Sequence, residues 1–145
     1  MPHPTIKPRD NHTILRMTSD EFFSKHADQY LKKPPDFVFI DGMHLFEYVL
    51  RDFINVECYA GPNTVVAVDE IFPGHPAQAE RERRTRAWTG DVWKLASLLQ
   101  LYRKDLSIKM LDVYPTGLML IEGFSKDQSE KNITSIENFR NNDFN

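Results

Sequence analysis

Two short, unbroken apolar runs constrain this chain more than anything else in it. Phe37-Val38-Phe39-Ile40 lies between Pro-Asp and Asp-Gly, and Thr64-Val65-Val66-Ala67-Val68 follows Gly61-Pro62-Asn63. Continuous apolar runs of this length suit strands buried on both faces, as in a parallel sheet. Between them, Leu45 to Tyr59 follows a helical pattern. Leu45, Val49 and Phe53 form one stripe, with Phe46, Leu50 and Ile54 beside it. Strand, helix and strand with short connections predict a βαβ unit with a right-handed crossover.

The rest of the chain is read around that unit. Residues 1–12 carry three of the nine prolines and predict an extended arm. Thr13 to Met17 alternates weakly, which predicts a short strand. Ser19 suits an N-cap, with Asp20 and Glu21 in the first turn, where carboxylates complement the helix dipole. Phe22, Phe23, His26, Ala27 and Tyr30 then recur at helical spacing until Lys32-Lys33-Pro34-Pro35 stops the helix. Residues 69–90 are a long polar connection. Asp91 to about Arg103 predicts a further helix, with Trp93 in the core. Ser107–Val113 and Leu118–Glu122, joined by Tyr114-Pro115-Thr116-Gly117, predict an antiparallel hairpin. Residues 125–145 predict a tail, partly disordered or helical. The expected organisation is one α/β domain over residues 13–124.

Length and composition exclude several classes. At 145 residues the chain is too short for a complete doubly wound enzyme, which joins two βαβαβ halves. A hydrophobic share of 41% marks a globular chain, and no apolar run is long enough to span a membrane. The N-terminus lacks a signal-peptide pattern, and Cys58 is the only cysteine, which together point to a cytoplasmic setting. Cys58 has no basic neighbour in sequence and reads as a packing residue. The net charge of −3 argues against nucleic acid as a general partner.

Both strands of the unit end in acids: Asp41-Gly42-Met43-His44 after one, Asp69-Glu70 after the other. In open α/β sheets ligands bind beyond the carboxyl ends of the strands. Adjacent strands lie about 4.8 Å apart, so Asp41, Asp69 and Glu70 could converge on Mg2+ or Mn2+. The same acids equally suit turns and caps. His44 suits a base or ligand beside Asp41, or a hydrogen-bonded turn residue. Glu80 to Trp88 carries Arg81, Arg83, Arg84 and Arg86 next to an indole. Arg83 and Arg86 could clamp an anionic substrate, and Trp88 could stack on a flat one, or the block is a solvated helical face with internal ion pairs.

Taken in order, Thr18 to Phe23, Phe39-Ile40-Asp41-Gly42-Met43-His44, Glu47, Arg51-Asp52-Phe53, Val68-Asp69-Glu70, Thr89 to Lys94 and Pro115 to Leu118 resemble class I SAM-dependent methyltransferases. The closest pattern is the small bacterial group with a strand followed by F-I-D-G-x-H. The resemblance implies a truncated Rossmann-like methyltransferase sheet of about five strands. These would be mostly parallel, with a C-terminal antiparallel hairpin and helices on the faces. Phe37–Ile40 would be the fourth strand, Thr64–Val68 the fifth and the hairpin the last two, in the order 4-5-7-6. Thr13–Met17 would be the third strand, moved in beside Phe37–Ile40. The resemblance also implies that Asp41, Asp69 and Glu70 match metal-holding acids, although Asp or Asn is usual where Glu70 stands. Asp41 and Gly42 would face SAM and His44 would act on a small-molecule substrate. The glycine-rich loop and ribose-binding acid of the family have no counterpart here.

Three functions follow as expectations. The first is a methyltransferase-like protein, metal-assisted and acting on a small molecule. The second is a non-catalytic assembly module that homodimerises or pairs with a protein supplying the missing half. The third is a metal-dependent hydrolase using the same acids. A homodimer is expected because an apolar sheet edge invites association.

Overall fold

The computed structural model describes residues 11–125. The expected arm over residues 1–12 and tail over residues 125–145 lie almost entirely outside that range. The chain divides into two compact units, Met1–Tyr30 and Leu31–Asn145.

The first unit holds two short helices, α1 (Ser19–Lys25) and α2 (Ala27–Tyr30). The cap is Thr18 rather than Ser19: its hydroxyl accepts from the Glu21 N–H at 3.1 Å. The predicted single helix breaks at His26, whose φ of −127° leaves helical space. Phe22 packs edge-on against Phe23 and also meets Tyr30. Thr13–Met17 is not a strand. Its weak alternation has no buried side, since Thr13, Ile14 and Arg16 are all exposed, and a strand persists only with a partner.

The second unit runs β1 (Phe37–Ile40), α3 (Phe46–Tyr59), β2 (Val65–Asp69), α4 (Trp93–Tyr102), β3 (Ser107–Leu111) and β4 (Leu118–Glu122). The strands form one sheet in the order β1-β2-β4-β3. β1 and β2 are parallel, while β4 is antiparallel to both β2 and β3. The order matches the expected 4-5-7-6, but the described residues hold four strands, not five. The sheet is also not mostly parallel, because a single crossover supplies a single parallel pairing.

One face of the sheet is well filled. Val66, Val68, Met119 and Ile121 are fully buried on it, together with Val49, Leu50 and Phe53 of α3 and Leu95, Leu98 and Leu99 of α4. Phe124, just past β4, packs on Phe53. β2 is buried on both faces as expected; β1 is not. Ile40 is buried, but Phe37 is 58% exposed and Phe39 50%. β1 is an outer strand whose free edge no described residue pairs.

Two further expectations are corrected. Trp93 is 39% exposed, because it lies off the stripe of Leu95, Leu98 and Leu99 that α4 turns inward, and α4 begins two residues late. Cys58 is exposed, its thiol donating to the Ile54 carbonyl one turn back.

Asp91 links the unit's two helices. The α3 N-cap residue Leu45 offers no capping side chain. Buried Asp91 substitutes for one: its Oδ1 accepts from the Phe46 N–H at 2.7 Å. Its Oδ2 receives Arg81 at 2.7 Å and Lys94 at 3.0 Å. Arg81 also forks onto Glu47 in the first turn of α3, at 2.6 and 3.0 Å. Burial works to raise the Asp91 pKa, but Lys94, the Phe46 amide and Arg81 together hold it below the usual value. A carboxylate with a depressed folded pKa stabilises above its unfolded pKa, and that stability is lost as pH falls through the folded value. Asp91→Ala is therefore expected to cost about 2–4 kcal/mol at pH 7. In urea melts the gap to wild type should close below about pH 4.

Candidate functional site

The carboxyl ends of β1 and β2 meet at one edge of the sheet, and His44 is the residue around which that edge is organised. It sits in the turn between β1 and α3, half-buried. Its Nδ1 lies 2.6 Å from the Trp88 carbonyl. A carbonyl only accepts, so Nδ1 carries the hydrogen and donates. That fixes the tautomer and leaves Nε2 of the neutral ring with a free lone pair. Nε2 lies 3.3 Å from Asp41 Oδ1. The imidazole also stacks on the Trp88 indole, with ring centroids 5.3 Å apart. The indole is held in turn by its Nε1–H, which donates to the Glu80 carbonyl at 2.6 Å.

The chain approaches His44 closely at Gly90. Gly90 has φ +55°, and a Cβ there would lie 1.7 Å from the His44 carbonyl oxygen. Only glycine permits both the left-handed backbone and this contact. Thr89, fully buried beside it, hydrogen-bonds the Gln78 carbonyl and fixes the same segment.

The acids following the strands do not form the expected cation site. Among the described residues no group of three or more His, Cys, Asp or Glu side chains is placed to hold a metal ion. Asp69 turns onto its own strand end, where Oδ1 accepts from the Glu70 N–H at 2.8 Å. Asp41 Oδ1 lies 3.3 Å from His44 Nε2 and bonds it only when the ring is protonated. Strand spacing brings the three backbones together, but these local contacts set the side chains. Among the described residues this side-chain arrangement lends no support to the Mg2+ or Mn2+ assignment to Asp41, Asp69 and Glu70.

Glu70 is held at some cost. It is non-glycine with φ +65°, and its Oε2 is buried with no hydrogen-bond partner among the described residues. Burial raises its pKa. The nearby Thr116 hydroxyl works the other way but does not reach hydrogen-bond geometry, and its own Oγ1 is also buried and unpartnered. His44 acts on Glu70 in the same charge-favouring sense as Thr116, while Asp69 and Asp41 oppose it. A carboxyl whose folded pKa is raised stabilises at low pH and loses that contribution as pH rises through the folded value. Glu70→Gln is therefore expected to raise the melting temperature at pH 8, with the gain shrinking towards pH 4 in a pH series of thermal melts.

The arginine block is an irregular loop rather than a helical face. Arg81 is tied to Glu47 and Asp91, and Arg84 to Glu80 and Glu82. Arg83 donates to the Arg86 carbonyl at 2.9 Å, and both side chains are exposed. Of the three residues proposed to contact substrate, Trp88 is thus brought onto His44, while Arg83 and Arg86 meet each other along the loop. Gly42 is exposed beside Asp41, and a Cβ there would come within 3.4 Å of Asp52. Sequence reasoning missed two contributors. Asp91 was legible only as a helix-start residue, and Thr116 only as a turn residue.

Among the described residues no helix is long and apolar enough to cross a membrane. No curated protein and no solved structure matches the chain. The family model of the methyltransferase domain matches residues 4–71. That segment contains β1, α3 and β2, and so both acid-tipped strand ends and His44. These 68 of the 145 residues are similar to a methyltransferase domain, the family that the Phe39–His44 segment resembles.

Proposed function

We propose that this protein is a methyltransferase-like protein whose His44–Asp41 pair serves the methyl acceptor, a small molecule bearing a hydroxyl. The observation that carries this reading is the fixed imidazole. With Nδ1–H committed to the Trp88 carbonyl, only Nε2 can exchange a proton, and Asp41 lies where it would stabilise the ring once protonated. A hydroxyl approaching the carboxyl edge of β1 would give its proton to Nε2, raising the nucleophilicity of its oxygen. Trp88 and the turn before α3 would hold the base in place, since proximity and orientation account for much of such a rate enhancement.

The family in general uses SAM, which supplies an electrophilic methyl group. Asp41 and Gly42 do not by themselves fit a whole SAM molecule. The Asp41 carboxylate lies beside His44 Nε2, and Gly42 is exposed rather than part of an enclosing cradle. The assigned chemistry is therefore confined to the acceptor side.

The test is transfer of labelled methyl from SAM to a panel of small hydroxyl acceptors, run beside calorimetry with millimolar SAM. His44→Gln is expected to lower kcat by about 10²–10⁴-fold, the usual contribution of a general base. Equal rates in wild type and variant would reject the role of His44. Neither transfer nor binding heat would reject catalysis by this chain. The non-catalytic assembly reading, favoured by the open β1 edge, would then stand.

A further inference from the structure

The two edges of the sheet are unlike. β3 carries Lys109, which reaches across to Glu122 at 2.7 Å, and charged Lys104, Asp105 and Asp112 lie close to its ends. Charges of this kind protect an edge from pairing. β1 has no charge within it: its four residues are Phe, Val, Phe and Ile, with no proline, and its charges, Asp36 and Asp41, only flank it.

The hydrogen-bonding direction of β1 is fixed by its neighbour. The Val65 N–H donates to the Asp36 carbonyl at 3.0 Å. Alternate residues Asp36, Val38 and Ile40 therefore address β2, and Phe37 and Phe39 turn their N–H and C=O groups outward. The outward residues are also the two whose side chains are half exposed, both on the same face of the sheet.

We propose that this edge pairs with the same edge of a second copy, antiparallel about a two-fold axis through Val38. In that register Phe37 stands opposite the partner's Phe39, and Phe39 opposite the partner's Phe37. Each is a pair exchanging two N–H···O bonds. All the outward donors and acceptors of Phe37 and Phe39 are then satisfied, and the aromatic side chains meet across the strands on one face. The flanking charges agree with this register: Asp36 falls opposite the partner's Ile40 and Asp41 opposite the partner's Pro35, so no like charges oppose. A shift of one residue would place Asp36 against the partner's Asp41 and turn the phenyl rings to opposite faces. An edge whose outward groups match themselves under a two-fold is what an isologous dimer requires. Two four-stranded sheets would become one continuous sheet.

Sedimentation and light scattering of the full chain test this. At about 100 µM, a concentration that populates dimers with micromolar dissociation constants, wild type should show twice the chain mass. Phe39→Pro, which removes one outward N–H and leaves the β2 ladder intact, should show the chain mass. Phe39→Lys gives the same reading if the proline variant does not fold. The register is tested with Val38→Cys in a Cys58→Ser background. A non-hydrogen-bonded antiparallel pair sets Cα atoms about 4.5 Å apart, within disulfide reach, so oxidation should link two chains. A monomeric wild type would overturn the proposal. So would a dimer that neither substitution at Phe39 weakens, or one that Val38→Cys does not cross-link.

Discussion

Gly90→Ala is expected to be the most damaging single methyl in this protein. The added Cβ would stand 1.7 Å from the His44 carbonyl oxygen and 2.8 Å from its carbonyl carbon. Both atoms are backbone, so no side-chain rotation relieves the clash. The left-handed backbone at φ +55° adds its own penalty of about 1–2 kcal/mol for an L-residue. Relief requires the 88–91 segment to move away from the turn before α3. That movement would separate the Trp88 carbonyl from His44 Nδ1 and Asp91 from the Phe46 N–H. We expect a loss of about 3–5 kcal/mol in urea denaturation. Any surviving native fraction should show altered Trp fluorescence, because Trp88 no longer stacks on His44. Gly123→Ala is the control. Gly123 also has positive φ, but its Cβ would find nothing nearer than 3.6 Å, so it carries the backbone penalty without the collision. Equal losses at the two positions would show that strain alone, not the approach to His44, requires glycine at 90.

Arg103→Met is expected to cost nearly as much, for a different reason. The Arg103 side chain is only 2% exposed and forks onto Glu57 at 2.6 and 2.8 Å and onto Asp105 at 2.7 and 2.9 Å. Burial opposes the guanidinium charge, but Asp105 and Glu57 outweigh it and raise its pKa. Arg103 in turn holds the Asp105 carboxyl below its usual pKa. Removing the arginine strands Glu57, buried at the end of α3, without its partner. Breaking a buried ion pair from one side costs about 3–5 kcal/mol. The double variant Glu57→Leu with Arg103→Met should recover much of that loss, since no buried charge then remains. Chemical denaturation of the four proteins in the cycle measures the coupling. Strict additivity would mean that Glu57 finds another partner when Arg103 is gone. The single variant should approach wild-type stability as pH falls through the depressed pKa of Asp105, where wild type loses what that carboxylate contributes.

Legibility in the sequence followed burial. β2 and α3 were readable because their apolar residues repeat with the period of the element and are in fact buried. β1 was placed correctly, but its exposure was not, because an apolar run looks the same whether one edge is covered or both. Thr13–Met17 failed for the converse reason: its alternation is real, but no strand pairs with it. α4 was found with its start two residues early, since Asp91 looks like a first-turn acid. The structure instead uses it to cap α3, forty-five positions earlier in sequence. The arginine block reads as either a binding surface or a set of internal ion pairs; Arg84 pairs within it, with Glu80 and Glu82, but the Arg81 partner Glu47 lies thirty-four residues away and leaves no local signature.

His44 and Asp41 could be named from the strand-turn-helix context alone, because a residue just past a parallel strand is delivered to the ligand edge whatever the remaining chain does. The imidazole tautomer could not, because the Trp88 carbonyl that sets it approaches only through Gly90. The expected cation site depends on the same level: spacing puts Asp41, Asp69 and Glu70 at one edge, but side-chain direction depends on local backbone, and Glu70 turns left-handed. By itself the sequence determined the βαβ unit and the C-terminal hairpin, since both follow from local periodicity and short connections. Only the tertiary structure decided which polar groups meet and which sheet edge no described residue pairs, because those depend on contacts between segments with no local signature.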